Sequence, residues 1–138
     1  MKFCPEIENR LTLDFTRLYG DKYGYTLTQI VKWLFEKLKR CHRFGGSSIG
    51  NRYTVYQSNA EIAREIRLYL PKPIPPEKPI SDKAVRTRIG LLRKKNIILT
   101  KEEPTVYNNS TLHYRFSDGF VLKYFGSVVL ELLSLPPR

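Results

Sequence analysis

At 138 residues with 41% hydrophobic content, the chain is long enough to bury a real core in a single domain spanning 1–138. Twenty-four Lys and Arg against thirteen Asp and Glu leave a formal net charge of +11, which favours polyanionic partners, nucleic acid first. No apolar run approaches the roughly 20 residues of a membrane span. The opening Met1-Lys2-Phe3-Cys4-Pro5-Glu6 has no signal-peptide core, and Cys4 and Cys41 make no disulfide framework. A cytoplasmic chain away from membranes is the expectation. Cys41-His42 with distant Cys4 and His113 has no metal-ligand spacing, so neither metal nor cofactor is expected.

In chain order, Leu11-Thr12-Leu13-Asp14-Phe15 alternates briefly, and Asp14 can cap a short helix running to Tyr19 before Gly20. Thr26-Leu27-Thr28-Gln29 reads as a capping box. It opens an amphipathic helix through Leu27, Ile30, Val31, Leu34, Phe35, Leu38 and Cys41, with Trp33 beside that stripe as a core anchor. Residues 45–51 are Gly-rich but lack the Gly-Lys-Ser/Thr ending of a phosphate cradle, and they read as a loop. Arg52 to Gln57 is rich in β-formers and predicts a strand.

A second capping box, Ser58-Asn59-Ala60-Glu61, opens a helix through Ile66. The stretch 68–80 carries five prolines, which exclude helix and make it an extended insertion. Ser81-Asp82 then opens a helix to Lys95. Val85, Ile89 and Leu92 form its apolar stripe, while Lys83, Arg86, Thr87, Gly90 and Lys94 lie on or near the opposite face. Asn96 is placed to end that helix, and Ile97 to Lys101 predicts a strand. Glu102-Glu103-Pro104 and Asn108-Asn109-Ser110 carry turn chemistry, and Thr111 to Phe116 should pair back on the strand before them. Ser117 or Asp118 can cap a terminal helix over 118–135, with Gly126 its weak point.

Two helices, the second basic on its outer face, followed by a strand pair describe an α+β winged helix-turn-helix. Here it carries an extra N-terminal helix region, the proline-rich insertion and a C-terminal helix. The positive charge concentrates where this motif would use it. Lys83, Arg86, Arg88, Arg93, Lys94, Lys95 and Lys101 stand against Asp82 alone between residues 81 and 101.

The order of Thr28 to Leu34, a basic Gly-containing loop, Arg52 to Gln57, Glu61-Ile62-Ala63 and Ser81 to Ile97 resembles the N-terminal winged-helix domain of phage and plasmid replication-initiation proteins. The resemblance covers about residues 14–117. Ser81, Val85, Arg86, Ile89 and Leu92 match the family's recognition-helix pattern, whereas Ala84 stands where Thr is usual and Asn96 where Gly is usual. The resemblance implies sequence-specific binding of double-stranded DNA. Lys83, Arg86 and Thr87 would lie in the turns that reach base edges, with Arg86 as a bidentate guanine reader. Arg64, Lys94 and Lys95 would neutralise phosphates, and Ser58 and Ser81 would add phosphate contacts at helix N-termini. Asn108, in the wing loop beside Tyr107 and Asn109, would touch sugar or phosphate.

No paired carboxylates, nucleophilic set or cofactor loop points to catalysis, and an enzyme is not expected. The alternatives are a transcription regulator with the same fold and a winged-helix protein-interaction module. The proline-rich segment 68–80 and the apolar C-terminal region would serve the latter; residues 118–135 would supply a homodimer face, and a replication or transcription protein would be the partner.

Overall fold

The computed structural model describes residues 4–44, 55–56, 59–69, 81–104 and 110–134. In chain order these form α1 (Pro5–Tyr19), α2 (Asp21–Phe44), β1 (Val55–Tyr56), α3 (Asn59–Tyr69), α4 (Asp82–Lys94), β2 (Ile98–Pro104), β3 (Ser110–Phe116), α5 (Asp118–Tyr124) and α6 (Ser127–Ser134). The arrangement is α+β, mostly helical, with a small antiparallel sheet in the order β1-β3-β2.

Helix α1 is much longer than the 15–19 segment expected, and Asp14 is interior to it rather than a cap. Pro5 sits in its first turn, where the missing N–H costs nothing, and Glu6 favours the positive end of the dipole. Leu11 and Phe15, four residues apart, are buried while Leu13 between them is exposed. The short alternation is therefore split by a helix, with Leu11 and Phe15 on its buried face and Leu13 outside it. Helix α1 ends at Gly20, whose φ of 92° lies in the region open to glycine. This one residue turns the chain into α2.

Helix α2 also begins earlier than expected, at Asp21, so Thr26-Leu27-Thr28-Gln29 is not a cap. These residues are buried in the helix interior. Thr26 Oγ1 donates to the Tyr23 carbonyl at 3.1 Å, and Thr28 Oγ1 to the Gly24 carbonyl at 2.9 Å. Their hydroxyls are satisfied by the preceding turn rather than by free N–H groups. The apolar stripe Leu27, Ile30, Val31, Leu34, Phe35 and Leu38 is buried as its periodicity requires. Trp33 anchors it to α3: its indole N–H donates to Glu65 Oε2 at 2.8 Å, and Lys37 Nζ reaches Glu65 Oε1 at 2.9 Å.

The ribbon of β2 and β3 pairs Ile98 with Phe116, Thr100 with Tyr114 and Pro104 with Ser110. Ile98, Tyr114 and Phe116 face the core together. Glu102, Glu103 and Pro104 belong to β2, not to a turn, because the ladder continues through them. On the far side of β3, Val55 pairs with Tyr114 and Tyr56 with His113, which places these two residues of the expected 52–57 strand at a sheet edge, the others lying outside the described residues. Leu68 and Tyr69 complete α3, so the expected insertion starts later than 68; its remainder lies outside the described residues, as do the Gly-rich loop 45–51 and the tip 105–109.

The C-terminal segment is two helices rather than one. Ser117 caps α5 by accepting from the Phe120 N–H, and the chain breaks at Gly126, with φ 91°, before α6. Phe125 stacks on Phe35 of α2 with centroids 4.9 Å apart, and Phe120 contacts Phe116 of β3 at 5.2 Å. Tyr124 donates its hydroxyl to Asp14 of α1. The core thus extends beyond 14–117 at both ends, taking in Leu11, Phe120 and Val121. Among the described residues no helix is long and apolar enough to cross a membrane.

Two predictions follow from this packing. A Cβ at Gly24 would lie 2.0 Å from Thr16 Oγ1 and 3.1 Å from the Thr16 backbone nitrogen. Gly24→Ala should therefore destabilise the fold by about 1–3 kcal/mol in a urea titration, the range for overpacking a tight contact. The Tyr124 phenol is pushed up from 10.0 to about 12, by burial first, then by the hydrogen bond to Asp14 and its charge, with Arg10 opposing. A raised folded-state value means its contribution is complete below pH 10.0 and is lost as pH rises towards about 12. Tyr124→Phe should make the alkaline fall in unfolding free energy shallower across that window.

Candidate nucleic-acid interface

Helix α4 is the element on which the expected contact residues converge. Ser81 caps it with backbone φ −84° and accepts from the Ala84 N–H at 3.1 Å. That leaves the hydroxyl proton of Ser81 as a donor to an incoming anion. Asp82 sits in the first turn, and Arg93 and Lys94 in the last, which suits the helix dipole at both ends. At the C-terminus Asn96 adopts φ 56°, a left-handed conformation that asparagine tolerates better than most residues. Its N–H donates to the Arg93 carbonyl at 3.0 Å, and the Ile97 N–H to the Leu92 carbonyl at 2.9 Å. This is a Schellman stop, and it turns the chain directly into β2.

Val85, Ile89 and Leu92 are buried, fixing which side of α4 meets the core. Lys83, Arg86, Thr87 and Lys94 are exposed, and Gly90 is half-buried. Positions 83, 86, 87, 90 and 94 follow the i, i+3, i+4, i+7, i+11 spacing of one helical stripe. That stripe lies opposite the buried one. Thr87 donates its hydroxyl to the Lys83 carbonyl at 3.1 Å, leaving its oxygen as an outward acceptor.

The remaining expected residues are distributed differently. Arg64 is exposed on α3, one helix away. Lys95 is the C-cap residue and lines an open cleft of about 510 Å³ with Asn96, Phe15, Leu18, Phe120 and Lys123, on the flank of the helix. Ser58 and Asn108 lie outside the described residues, as do Tyr107 and Asn109.

Two arginines of α4 change the sequence-based picture. Arg93, seven residues after Arg86 and exposed, extends the cationic surface along the same side. Its position in the basic run and its spacing from Arg86 were the available signal. Burial pushes the nearby Tyr114 phenol up, and the charge of Arg93 pulls it partly back. Arg88, by contrast, points inward and is only 8% exposed. Its Nε donates to Thr26 Oγ1 on α2 at 2.7 Å, its Nη1 donates to the Ala84 carbonyl at 3.1 Å, and its guanidinium lies 4.8 Å from the Tyr23 ring centroid. Burial pulls its pKa below the usual arginine value, with Tyr23 opposing. It cannot contribute to a cationic surface.

Among the described residues no cluster of His, Cys, Asp and Glu could hold a metal ion. Comparison of the chain with protein-family models, curated proteins and solved structures finds no match.

Gly90 sits mid-helix with nothing within 4 Å of where a Cβ would stand. The protein's own packing therefore gives no reason for glycine here, and glycine weakens a helix interior. Gly90→Ala should stabilise the fold by about 0.5–1 kcal/mol, read as a higher urea midpoint at unchanged slope.

Proposed function

We propose that the protein is a sequence-specific double-stranded DNA-binding protein of winged-helix type, with α4 as its recognition helix. The observation that carries this reading is the outward stripe of Lys83, Arg86, Thr87, Gly90 and Lys94, set opposite the buried Val85, Ile89 and Leu92. A thirteen-residue helix is about 20 Å long at 1.5 Å per residue, and a major groove about 12 Å wide admits it. Helix α3, which packs beside α4, would be the supporting helix in this reading, and the β2–β3 ribbon the wing.

In this arrangement Lys83, Arg86 and Thr87 reach base edges from the first two turns. The Arg86 fork matches guanine O6 and N7. Arg93 and Lys94, with Arg64 on α3, neutralise phosphates and set register without reading sequence. Gly90 lets the helix backbone approach its partner closely. The resemblance to replication-initiation domains supports plasmid or phage replication initiation as the setting, with recognition and recruitment as the role. A transcription regulator would use the same surface.

A second reading, a protein-interaction module, is favoured by a different observation. Leu18 beside the α1–α5 cleft is 57% exposed, and Leu122 and Val128 of the C-terminal helices are 53% and 69% exposed. Such residues suit a homodimer seam over 118–135 or a protein partner. Ionic strength separates the two readings. Displacing counterions from several phosphates makes affinity fall steeply with salt, whereas an apolar seam is far less sensitive.

Selection from a random duplex pool should yield a defined motif, palindromic if the C-terminal helices pair two copies. On the selected duplex, Arg86→Ala should weaken binding by about 1–3 kcal/mol and relax one base position. Lys94→Ala should weaken all duplexes alike and lower the salt slope by about 1. A titration in which Arg86→Ala binds like the parent protein would reject the assignment.

A further inference from the structure

Arg88 is an unusual way to hold a helix. Among the described residues its contacts are a hydroxyl, a main-chain carbonyl and an aromatic ring, and none of these is a carboxylate. A buried cation with neutral partners is poorly compensated for lost hydration, and replacing such groups with well-packed apolar side chains is often neutral or stabilising. What the guanidinium adds is direction. The apolar stripe Val85, Ile89 and Leu92 packs through non-directional forces, which resist separation more than small rotations about the helix axis. The Nε–Thr26 bond resists rotation, and its acceptor is itself fixed because Thr26 donates to the Tyr23 carbonyl at 3.1 Å. The Nη1–Ala84 bond ties the same guanidinium back to α4, and the Tyr23 ring holds its plane.

We propose that Arg88 is a positioning residue that fixes the rotation of α4 against α2, and with it the side chains the outward stripe presents to DNA. The role in DNA recognition rests on the function proposed above; the mechanical role does not. Arg88 touches no ligand and acts through α4.

The test uses the full chain carrying Arg88→Met, with Arg88→Lys as the conservative variant. Residual dipolar couplings of backbone amides measure the orientation of α4 relative to α2. Duplex competition measures preference for the selected site over a scrambled one. Arg88→Met should keep or raise the thermal midpoint and reorient α4 as an intact helix. It should also reduce site preference about tenfold, the scale of a loosened contact set, with the salt slope on scrambled duplex unchanged. Arg88→Lys, retaining a donor, should recover part of both the orientation and the preference. An unmoved α4 in Arg88→Met overturns the proposal, and so does failure of that variant to fold, since stability would then be the residue's role. If the parent protein prefers no duplex, the DNA reading fails while the couplings still decide the mechanical claim.

Discussion

Helix α2 is the post against which the other helices and the sheet are set. Its buried stripe meets α1 along one side, α3 and α4 along another, and the aromatic cluster of α5 and β3 through Phe35. Polar ties to α1, α3 and α4 give these contacts direction. Glu8 of α1 is held by Gln29 at 3.2 Å and Lys32 at 3.5 Å, Trp33 and Lys37 hold Glu65 of α3, and Thr26 holds Arg88 of α4. Each tie fixes one neighbouring helix by hydrogen bonds inside or beside the core, whose preference for a narrow geometry sets that helix's angle. If α2 were displaced, α1, α3 and α4 would each lose both an apolar seat and an angular reference.

The outward surface of α4 is a consequence of that arrangement. Once Val85, Ile89 and Leu92 are committed to the core, a period of 3.6 residues leaves Lys83, Arg86, Thr87, Gly90 and Lys94 no choice but to face away. The Ser81 cap and the Schellman stop at Asn96 set both ends of the helix, so the cationic stripe has a defined length. Lys95, one residue past the last turn, falls off the stripe and onto the cleft flank.

Where local chemistry decides, the sequence could be read directly. Ser81 and Ser117 cap as expected because a side-chain oxygen three residues before a free N–H needs nothing else to act. The periodic stripes of α2 and α4 were equally plain, as was the anchoring role of Trp33. Elements decided by distant partners were not. Thr26 and Gln29 look like cap chemistry in isolation, but they become interior once α1 packs over them. The polar residues Glu8 and Thr12 hide the helical character of α1 until Gln29, Lys32 and Thr28 are seen to satisfy or contact them. Arg88 counts as surface charge in any tally, and it is the hydroxyl of Thr26, 62 residues earlier, and the Tyr23 ring that draw it inward. For the candidate interface, the stripe was legible and its fine edges were not.

The extension of the ladder through Glu102 and Glu103 to the Pro104–Ser110 pair has a mechanical consequence. Seven paired residues make an arm about 20 Å long, rooted in the core through Ile98, Tyr114 and Phe116. Main-chain hydrogen bonds couple its two strands along that length, so the ribbon bends as one lever about its buried root.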